Sequence, residues 1–107
     1  MIIYVDIDGT ICETEGSDYV NAKPRKNQIS KINRLYDVGN TIIYWTARGT
    51  VTQINWLDLT KNQLDNWGVK YHDVRVGKPH FDLYICDKAI NSESFFNVDD
   101  QEGIKNG

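Results

Sequence analysis

Short apolar runs alternate with segments of helical spacing along this chain, and that order constrains its fold more than any other feature. Residues 1–5 (Met-Ile-Ile-Tyr-Val) and 41–45 (Thr-Ile-Ile-Tyr-Trp) are short and rich in β-branched and aromatic residues, which predicts buried strands. Residues 69–76 and 83–86 are the predicted third and fourth strands. Strands that alternate with helices are typical of a parallel sheet with helices on both faces. We therefore predict an α/β fold, with a three-layer, Rossmann-like parallel sheet.

Two stretches carry apolar residues at helical spacing, and each ends at a glycine. The first begins at Lys26 and ends before Gly39, while the second is predicted over residues 51–67, again followed by glycine. Residues 11–25 are polar and are predicted to form a loop, and a short helix is expected near residues 92–96. These segments supply the connections that a parallel sheet requires.

The composition indicates a single-domain protein without a general affinity for polyanions. The chain has 107 residues, which we divide into a domain over residues 1–98 and a polar tail over residues 99–107. Its formal net charge of -3 gives no reason to expect binding to nucleic acid or to an anionic membrane. The apolar runs are too short to span a bilayer, and two cysteines do not form a disulfide framework. A cytoplasmic protein is the expectation.

Polar side chains follow the predicted strands at the points where those strands end. Asp6 and Asp8 follow the first strand, Thr46 follows the second, and Asp87 follows the fourth, while Lys78 lies in the loop before it. Ligands of parallel sheets bind beyond the carboxyl ends of the strands. We therefore expect these residues to share one pocket although they are far apart in sequence.

The expected pocket has the composition that phosphoryl transfer requires. Several carboxylates in one site repel each other unless a cation lies between them, and oxygen ligands without a histidine cluster suit Mg²⁺. Thr46, Lys78 and the backbone N–H groups near Gly9 and Gly49 are donors for a dianionic ligand. No other nucleophile is evident there, so Asp6 is the candidate to attack phosphorus and form an aspartyl-phosphate.

These residues resemble the motifs of a known superfamily. The apolar run that ends in Asp6-Ile-Asp-Gly-Thr10 resembles the first motif of the haloacid dehalogenase (HAD) superfamily of phosphohydrolases. Thr46, Lys78 and Asp87 follow in the order of the other three motifs, so that the resemblance covers residues 2–88. Agreement of four separate elements makes the resemblance specific, whereas Asp-x-Asp-Gly alone is modest evidence.

The resemblance implies a Mg²⁺-dependent phosphomonoesterase and a role for each matching residue. Asp6 is the implied nucleophile, Asp8 the general acid and base, and Thr46 and Lys78 the residues that hold the transferring phosphoryl group. The implied metal ligands are the side chains of Asp6 and Asp87 and the backbone carbonyl of Asp8. The implied phosphate- and substrate-binding residues are Gly9, Thr10, Thr46, Ala47, Arg48 and Lys78.

A finer resemblance indicates a small type of enzyme without a cap domain. Thr-Ala-Arg-Gly at 46–49 and Lys-Pro-x-x-Asp at 78–82 look like the capsule- or polysaccharide-biosynthesis phosphatases, which suggests a phosphorylated sugar or another small metabolite as substrate. That subgroup usually carries two adjacent acids at the fourth motif, and Cys86 replaces the first of them here. The gaps between motifs are too short for a cap, so we expect an open site, covered by residues 11–25 or by a neighbouring subunit in a homo-oligomer.

Other functions remain open from the sequence alone. The replacement by Cys86 is compatible with a slow or silent relative that binds a phosphorylated ligand, and the length is compatible with a receiver domain. A receiver needs a phosphate-accepting aspartate near position 46, where this chain has threonine. Arg48 is equally well interpreted as a substrate contact or as a solvated loop charge. Turnover of p-nitrophenyl phosphate distinguishes the enzyme from both alternatives.

Overall fold

The computed structural model describes residues 1–50 and 53–97. Its strands are β1 (Ile2–Val5), β2 (Cys12–Glu13), β3 (Lys23–Pro24), β4 (Thr41–Trp45) and β5 (Asp73–Arg75). Its helices are α1 (Lys26–Asp37), α2 (Leu57–Asn66) and α3 (Ser92–Phe96), and a turn of 3₁₀ helix covers Tyr19–Asn21. Across this part of the chain, no helix has the length and apolar character needed to cross a bilayer.

The main sheet has the strand order β1-β4-β5, and both of its strand pairs are parallel. Helix α1 connects β1 to β4, and α2 connects β4 to β5, so each connection is a helical crossover. The predicted α/β fold is therefore confirmed as a Rossmann-like, three-stranded parallel sheet flanked by helices. The parallel arrangement brings the carboxyl ends of β1 and β4 to the same edge.

One face of the sheet and the two crossover helices form the core. Ile42 and Tyr44 of β4 are fully buried, as is Leu64 of α2. The side-chain amide of Asn33 on α1 donates to the carbonyl of Gly68 (2.9 Å), directly after α2, so the two helices are neighbours. The remaining buried apolar residues of this core are Val5, Ile7, Ile11, Cys12, Ile29, Ile32, Val69 and Val74.

Local boundaries differ from the sequence prediction in three places. Helix α2 begins at Leu57, later than predicted. Gln53 has a φ of 60°, which lies outside the helical region, and Val51 and Thr52 lie outside the described residues. Strand β5 covers only Asp73–Arg75 of the predicted 69–76. The predicted loop over 11–25 contains the small antiparallel pair β2 and β3. Helix α1 and the short helix α3 lie where they were predicted.

The predicted fourth strand over residues 83–86 is wrong. Leu83, Tyr84 and Ile85 are 76%, 58% and 89% exposed, and within the described residues the main sheet contains three strands. An apolar run shows a tendency towards burial, but a strand also needs a neighbouring backbone to pair with. The predicted tail over residues 99–107 lies outside the described residues.

Candidate active site

A pocket of about 230 Å³ lies where β1 and β4 end. The predicted site residues that line it are Asp6, Asp8, Thr46, Ala47, Arg48 and Lys78. The other lining residues are Gly16, Tyr19, Pro79, His80 and Phe81. The predicted site residues, from three separate regions of the sequence, therefore meet at one site, as expected for the carboxyl edge of a parallel sheet.

Asp6 and Lys78 form an ion pair at this pocket. The Lys78 Nζ lies 3.3 Å from Asp6 Oδ1, and the hydroxyl of Thr10 donates to Asp6 Oδ2 over 3.5 Å. The side chains of Asp6 and Lys78 keep 38% and 21% exposure, so both are accessible to a ligand. Lys78 is held in place because its backbone N–H donates to the Thr46 carbonyl (3.1 Å) and its carbonyl accepts from the Thr50 hydroxyl (2.8 Å).

Thr46 lies at the end of β4 with its hydroxyl oriented by the following turn. Thr46 is 1% exposed, and its Oγ1 accepts from the backbone N–H of Arg48 (3.1 Å), which leaves the hydroxyl proton available for donation. The turn closes at Gly49, whose φ is 84°. A side chain at this position would overlap the carbonyl oxygen of Ile54, so the turn requires glycine.

Gly9 and Thr10 shape the loop after β1 and do not line the pocket. Gly9 has a φ of 81°, and its N–H donates to the Cys12 carbonyl (2.9 Å), while the N–H of Thr10 donates to the Ile7 carbonyl (3.1 Å). These N–H groups are used within the loop in this structure, and binding of a ligand by Gly9 and Thr10 stays a prediction. The carbonyl of Gly9 accepts from the Arg25 guanidinium (2.9 Å), which holds the loop against residues preceding α1.

Arg48 lines the pocket, but its side chain is 0% exposed and its guanidinium N–H groups are used by protein acceptors rather than by solvent. Its Nε and Nη2 donate to the two carboxylate oxygens of Asp8 over 2.9 and 2.8 Å. Its Nη1 donates to the Thr60 hydroxyl (3.1 Å) and to the Gln63 side-chain carbonyl (2.6 Å), both on α2. The ring of Tyr19 lies 4.7 Å from the guanidinium carbon. Arg48 is therefore the buried partner of Asp8.

Asp8 is surrounded by donors that favour its ionised form. Besides the two bonds from Arg48, its Oδ1 accepts from the Thr14 hydroxyl (2.6 Å) and from the Cys12 thiol (3.5 Å). Burial raises the pKa of the Asp8 carboxyl, but these hydrogen bonds and the charge of Arg48 outweigh it, so its pKa lies below the ordinary value. In this conformation Asp8 is a carboxylate whose two oxygens are both occupied.

Three partners of this network were not predicted from the sequence, namely Thr14, Thr60 and Gln63. Thr60 and Gln63 lie three residues apart on α2, next to the buried Leu64. Polar residues on a buried helix face require a buried partner, and that signal was present in the sequence. Thr14 lies in an irregular loop, where no periodicity indicates which way a side chain points.

The described residues do not assemble the predicted magnesium site. Asp87 does not line the pocket, and its Oδ1 accepts from the Cys86 thiol over 3.8 Å. Across residues 1–50 and 53–97, no three His, Cys, Asp or Glu side chains are grouped as metal ligands. The physical reason is that residues 83–86 do not join the sheet, so Asp87 is not carried to its carboxyl edge. Mg²⁺ remains a prediction of the sequence.

Comparisons with known proteins give a relative but no activity. No family model matches the chain, and no curated protein matches it. The chain is similar to a protein from Vibrio cholerae whose crystal structure was determined as a structural genomics target. The identity is 31%, the match covers 92% of this chain and 89% of that chain, and the TM-score is 0.82.

Proposed function

The chain belongs to the same family as this Vibrio cholerae protein, and because that relative is described without an activity, we propose a function from the pocket: a phosphomonoesterase. The observation that carries the proposal is the accessible Asp6 carboxylate beside Lys78, at 3.3 Å, in the pocket that Thr46 also lines. A nucleophilic oxygen, a cation and a hydroxyl donor are what transfer of a phosphoryl group requires. The resemblance of the four motifs to HAD phosphatases supports the same chemistry.

The first step transfers the phosphoryl group to the enzyme. An oxygen of Asp6 attacks phosphorus and forms an O–P bond while the bond to the ester oxygen breaks. Lys78 offsets the negative charge of the phosphoryl oxygens, and the Thr46 hydroxyl donates to one of them. Asp8 supplies the proton that the departing ester oxygen needs, and an aspartyl-phosphate at position 6 remains. The acid form of Asp8 is the one that the second step regenerates, and because the surrounding donors lower its pKa it is the less populated form.

The second step returns Asp6 to its starting state. Asp8, now ionised, accepts a proton from a water molecule as that water attacks the phosphorus of the aspartyl-phosphate. The P–O bond to Asp6 breaks, which releases inorganic phosphate and restores the carboxylate. The two aspartates thus have different roles. Asp6, accessible beside a lysine, is the nucleophile, and Asp8, enclosed by hydrogen-bond donors, is the general acid and base.

The magnesium ion and the substrate class in this proposal are those that the resemblance to HAD phosphatases implies. Mg²⁺ would neutralise charge on the phosphoryl oxygens, and the steps above depend only on residues of the chain. A pocket of about 230 Å³ has room for a phosphate with a small organic group, and the resemblance suggests a phosphorylated sugar or similar metabolite. The aromatic ring of Phe81 at the pocket offers an apolar surface to that group.

Turnover tests the proposal directly. Purified protein is assayed with p-nitrophenyl phosphate and a panel of phosphorylated metabolites, with and without Mg²⁺. Asp6→Asn removes the nucleophile and should abolish phosphate release, whereas Asp37→Asn is a matched control because Asp37 is half exposed and pairs with Lys70 away from the pocket. Phosphate release by the Asp6→Asn variant at the wild-type rate contradicts the proposal.

A second candidate function is binding of a phosphorylated ligand without turnover. It is favoured by one observation, namely that both oxygens of Asp8 are occupied by Arg48 and Thr14 while Asp87 lies outside the pocket. Such a protein binds phosphate esters saturably in calorimetry and releases no phosphate. Multiple turnovers exclude this alternative.

A further inference from the structure

We propose that Arg48 is a positioning residue, which holds the Asp8 carboxylate in place for proton transfer and does not bind the substrate. The proposal rests on the phosphomonoesterase function proposed above. It replaces both interpretations that the sequence allowed, a substrate contact and a solvated charge. Its basis is the geometry of one buried guanidinium group.

The contact between Arg48 and Asp8 fixes the direction of the carboxylate. Two parallel N–H bonds, of 2.9 and 2.8 Å, join the two planar groups edge to edge. A paired contact of this kind restricts rotation of the carboxylate about its own axis, which a single bond does not. A group that transfers a proton must lie within hydrogen-bond reach of the reacting oxygen, so its direction matters.

Helix α2 fixes Arg48 in turn. Its Nη1 donates to the side chains of Thr60 and Gln63, which are 0% and 9% exposed. The amide nitrogen of Gln63 donates to the backbone carbonyl of Tyr19, whose ring lies over the guanidinium. Arg48 therefore connects Asp8 to α2 and to the loop over residues 11–25. The position of the Asp8 carboxylate thus depends on the packing of α2 and of this loop.

The same geometry argues against a direct contact with substrate. Four N–H bonds of Arg48 end on protein oxygens, and the side chain has 0% exposure. Lys78 is the accessible cation at the pocket, with 21% of its side chain exposed. The division assigns phosphate binding to Lys78 and positioning of Asp8 to Arg48.

The test compares two substrates that differ in their need for an acid. p-Nitrophenyl phosphate has a stable leaving group, whereas an alkyl phosphate requires protonation of the departing oxygen. For Arg48→Lys we expect kcat on the alkyl phosphate to fall at least about tenfold further than kcat on p-nitrophenyl phosphate, with both KM values within about twofold of wild type. Arg75→Lys, at a half-exposed arginine that pairs with Asp73, is the matched control and should change neither.

Other outcomes of this experiment overturn the proposal. If KM rises for both substrates while the ratio of their kcat values stays constant, Arg48 is a substrate contact. If both kcat values fall by the same factor, the role is merely structural. Thr60→Val removes one hydrogen bond to Arg48 and leaves the two bonds from Arg48 to Asp8. In this variant kcat on the alkyl phosphate should again fall further than kcat on p-nitrophenyl phosphate, but by a smaller factor than in Arg48→Lys.

A double-mutant cycle on unfolding tests the contact even if the protein shows no turnover. Thermal unfolding is measured for wild type, Arg48→Lys, Asp8→Asn and the double variant. If the guanidinium holds the carboxylate, the two single changes are not additive, and the double variant unfolds close to the less stable single variant. Additive shifts overturn the contact on which the positioning role depends. Clear coupling without turnover leaves that contact standing and overturns the phosphomonoesterase, and with it the proton transfer by Asp8.

Discussion

Two aspartates two positions apart in one loop have different surroundings, and this difference determines what each can do. Asp6 meets a single lysine at 3.3 Å and keeps 38% of its side chain exposed. Asp8 accepts from Arg48 and Thr14 and is 26% exposed. Environment rather than residue type thus separates a candidate nucleophile from a candidate acid and base.

Residue-scale surroundings also predict the reactivity of the two cysteines. Burial, aided by the nearby Asp8 carboxylate, raises the pKa of the Cys12 thiol to about 11, whereas Cys86 is exposed. The reactive form is the thiolate, so iodoacetamide at neutral pH should modify Cys86 and leave Cys12 intact in the folded protein. Peptide mapping by mass spectrometry checks this, with urea-unfolded protein as the control in which both react. Modification of Cys12 in the folded state contradicts the prediction.

The raised pKa of Cys12 also makes the free energy of unfolding depend on pH. Its folded pKa, about 11, lies above the ordinary value of 9.0, so the folded state favours the protonated form. The stabilisation is therefore fully present below pH 9.0 and declines as the pH rises towards 11. The free energies of unfolding of wild type and Cys12→Ala are measured by chemical unfolding at several pH values. The difference between the two free energies should shrink as the pH rises from 9.0 towards 11. A constant difference is the contrary result.

Individual elements could be predicted where the signal is local. The bounds of α1 follow from its apolar spacing and from the glycine after it, and β4 coincides with residues 41–45, an unbroken apolar and β-branched run. The run over 83–86 has a similar composition, yet it forms no strand, because pairing depends on a neighbour that the run itself does not specify. Because this run does not pair with the sheet, Asp87 does not reach the pocket in this structure.

The turn between β4 and α2 provides a test at the scale of an element. Gly49 and Gly68 both have positive φ values, of 84° and 73°, but only at Gly49 would a side chain meet another group, the carbonyl of Ile54. Alanine at either position adds about 1 kcal/mol of backbone strain, and at Gly49 we expect an overlap cost of about 1–3 kcal/mol more. Urea unfolding of the two variants measures this difference. Equal losses contradict the steric account.

At the scale of the whole molecule, the site depends on contacts that no single segment encodes. The topology that gathers Asp6, Thr46 and Lys78 was predictable, because alternating strands and helices imply a parallel sheet. The burial of Arg48 was not, because it depends on the packing of α2 and the loop over residues 11–25 around one guanidinium. The order of strands and helices in the sequence thus predicts where the site residues meet. The tertiary packing determines which of their side chains are accessible from the pocket.

Metal dependence is a property of the assembled site as well. The resemblance implies that Asp87 is a ligand of Mg²⁺, whereas the structure places Asp87 outside the pocket. Asp87→Asn distinguishes the two, because a metal ligand at this position predicts a higher Mg²⁺ concentration for half-maximal turnover, and in either case chelation by EDTA should abolish turnover reversibly. Asp82→Asn is the matched control, an exposed aspartate in the same segment. An unchanged Mg²⁺ dependence in the Asp87 variant removes that residue from the metal site.

The chemical trapping of a phosphorylated carboxyl group tests the central claim most directly. Protein quenched in acid during turnover is treated with borohydride, which reduces an acyl phosphate to an alcohol, and its peptides are analysed by mass spectrometry. We predict homoserine in place of aspartate at position 6, and no such change in protein quenched without substrate. An unmodified Asp6 during steady turnover, or homoserine at another aspartate, contradicts the account.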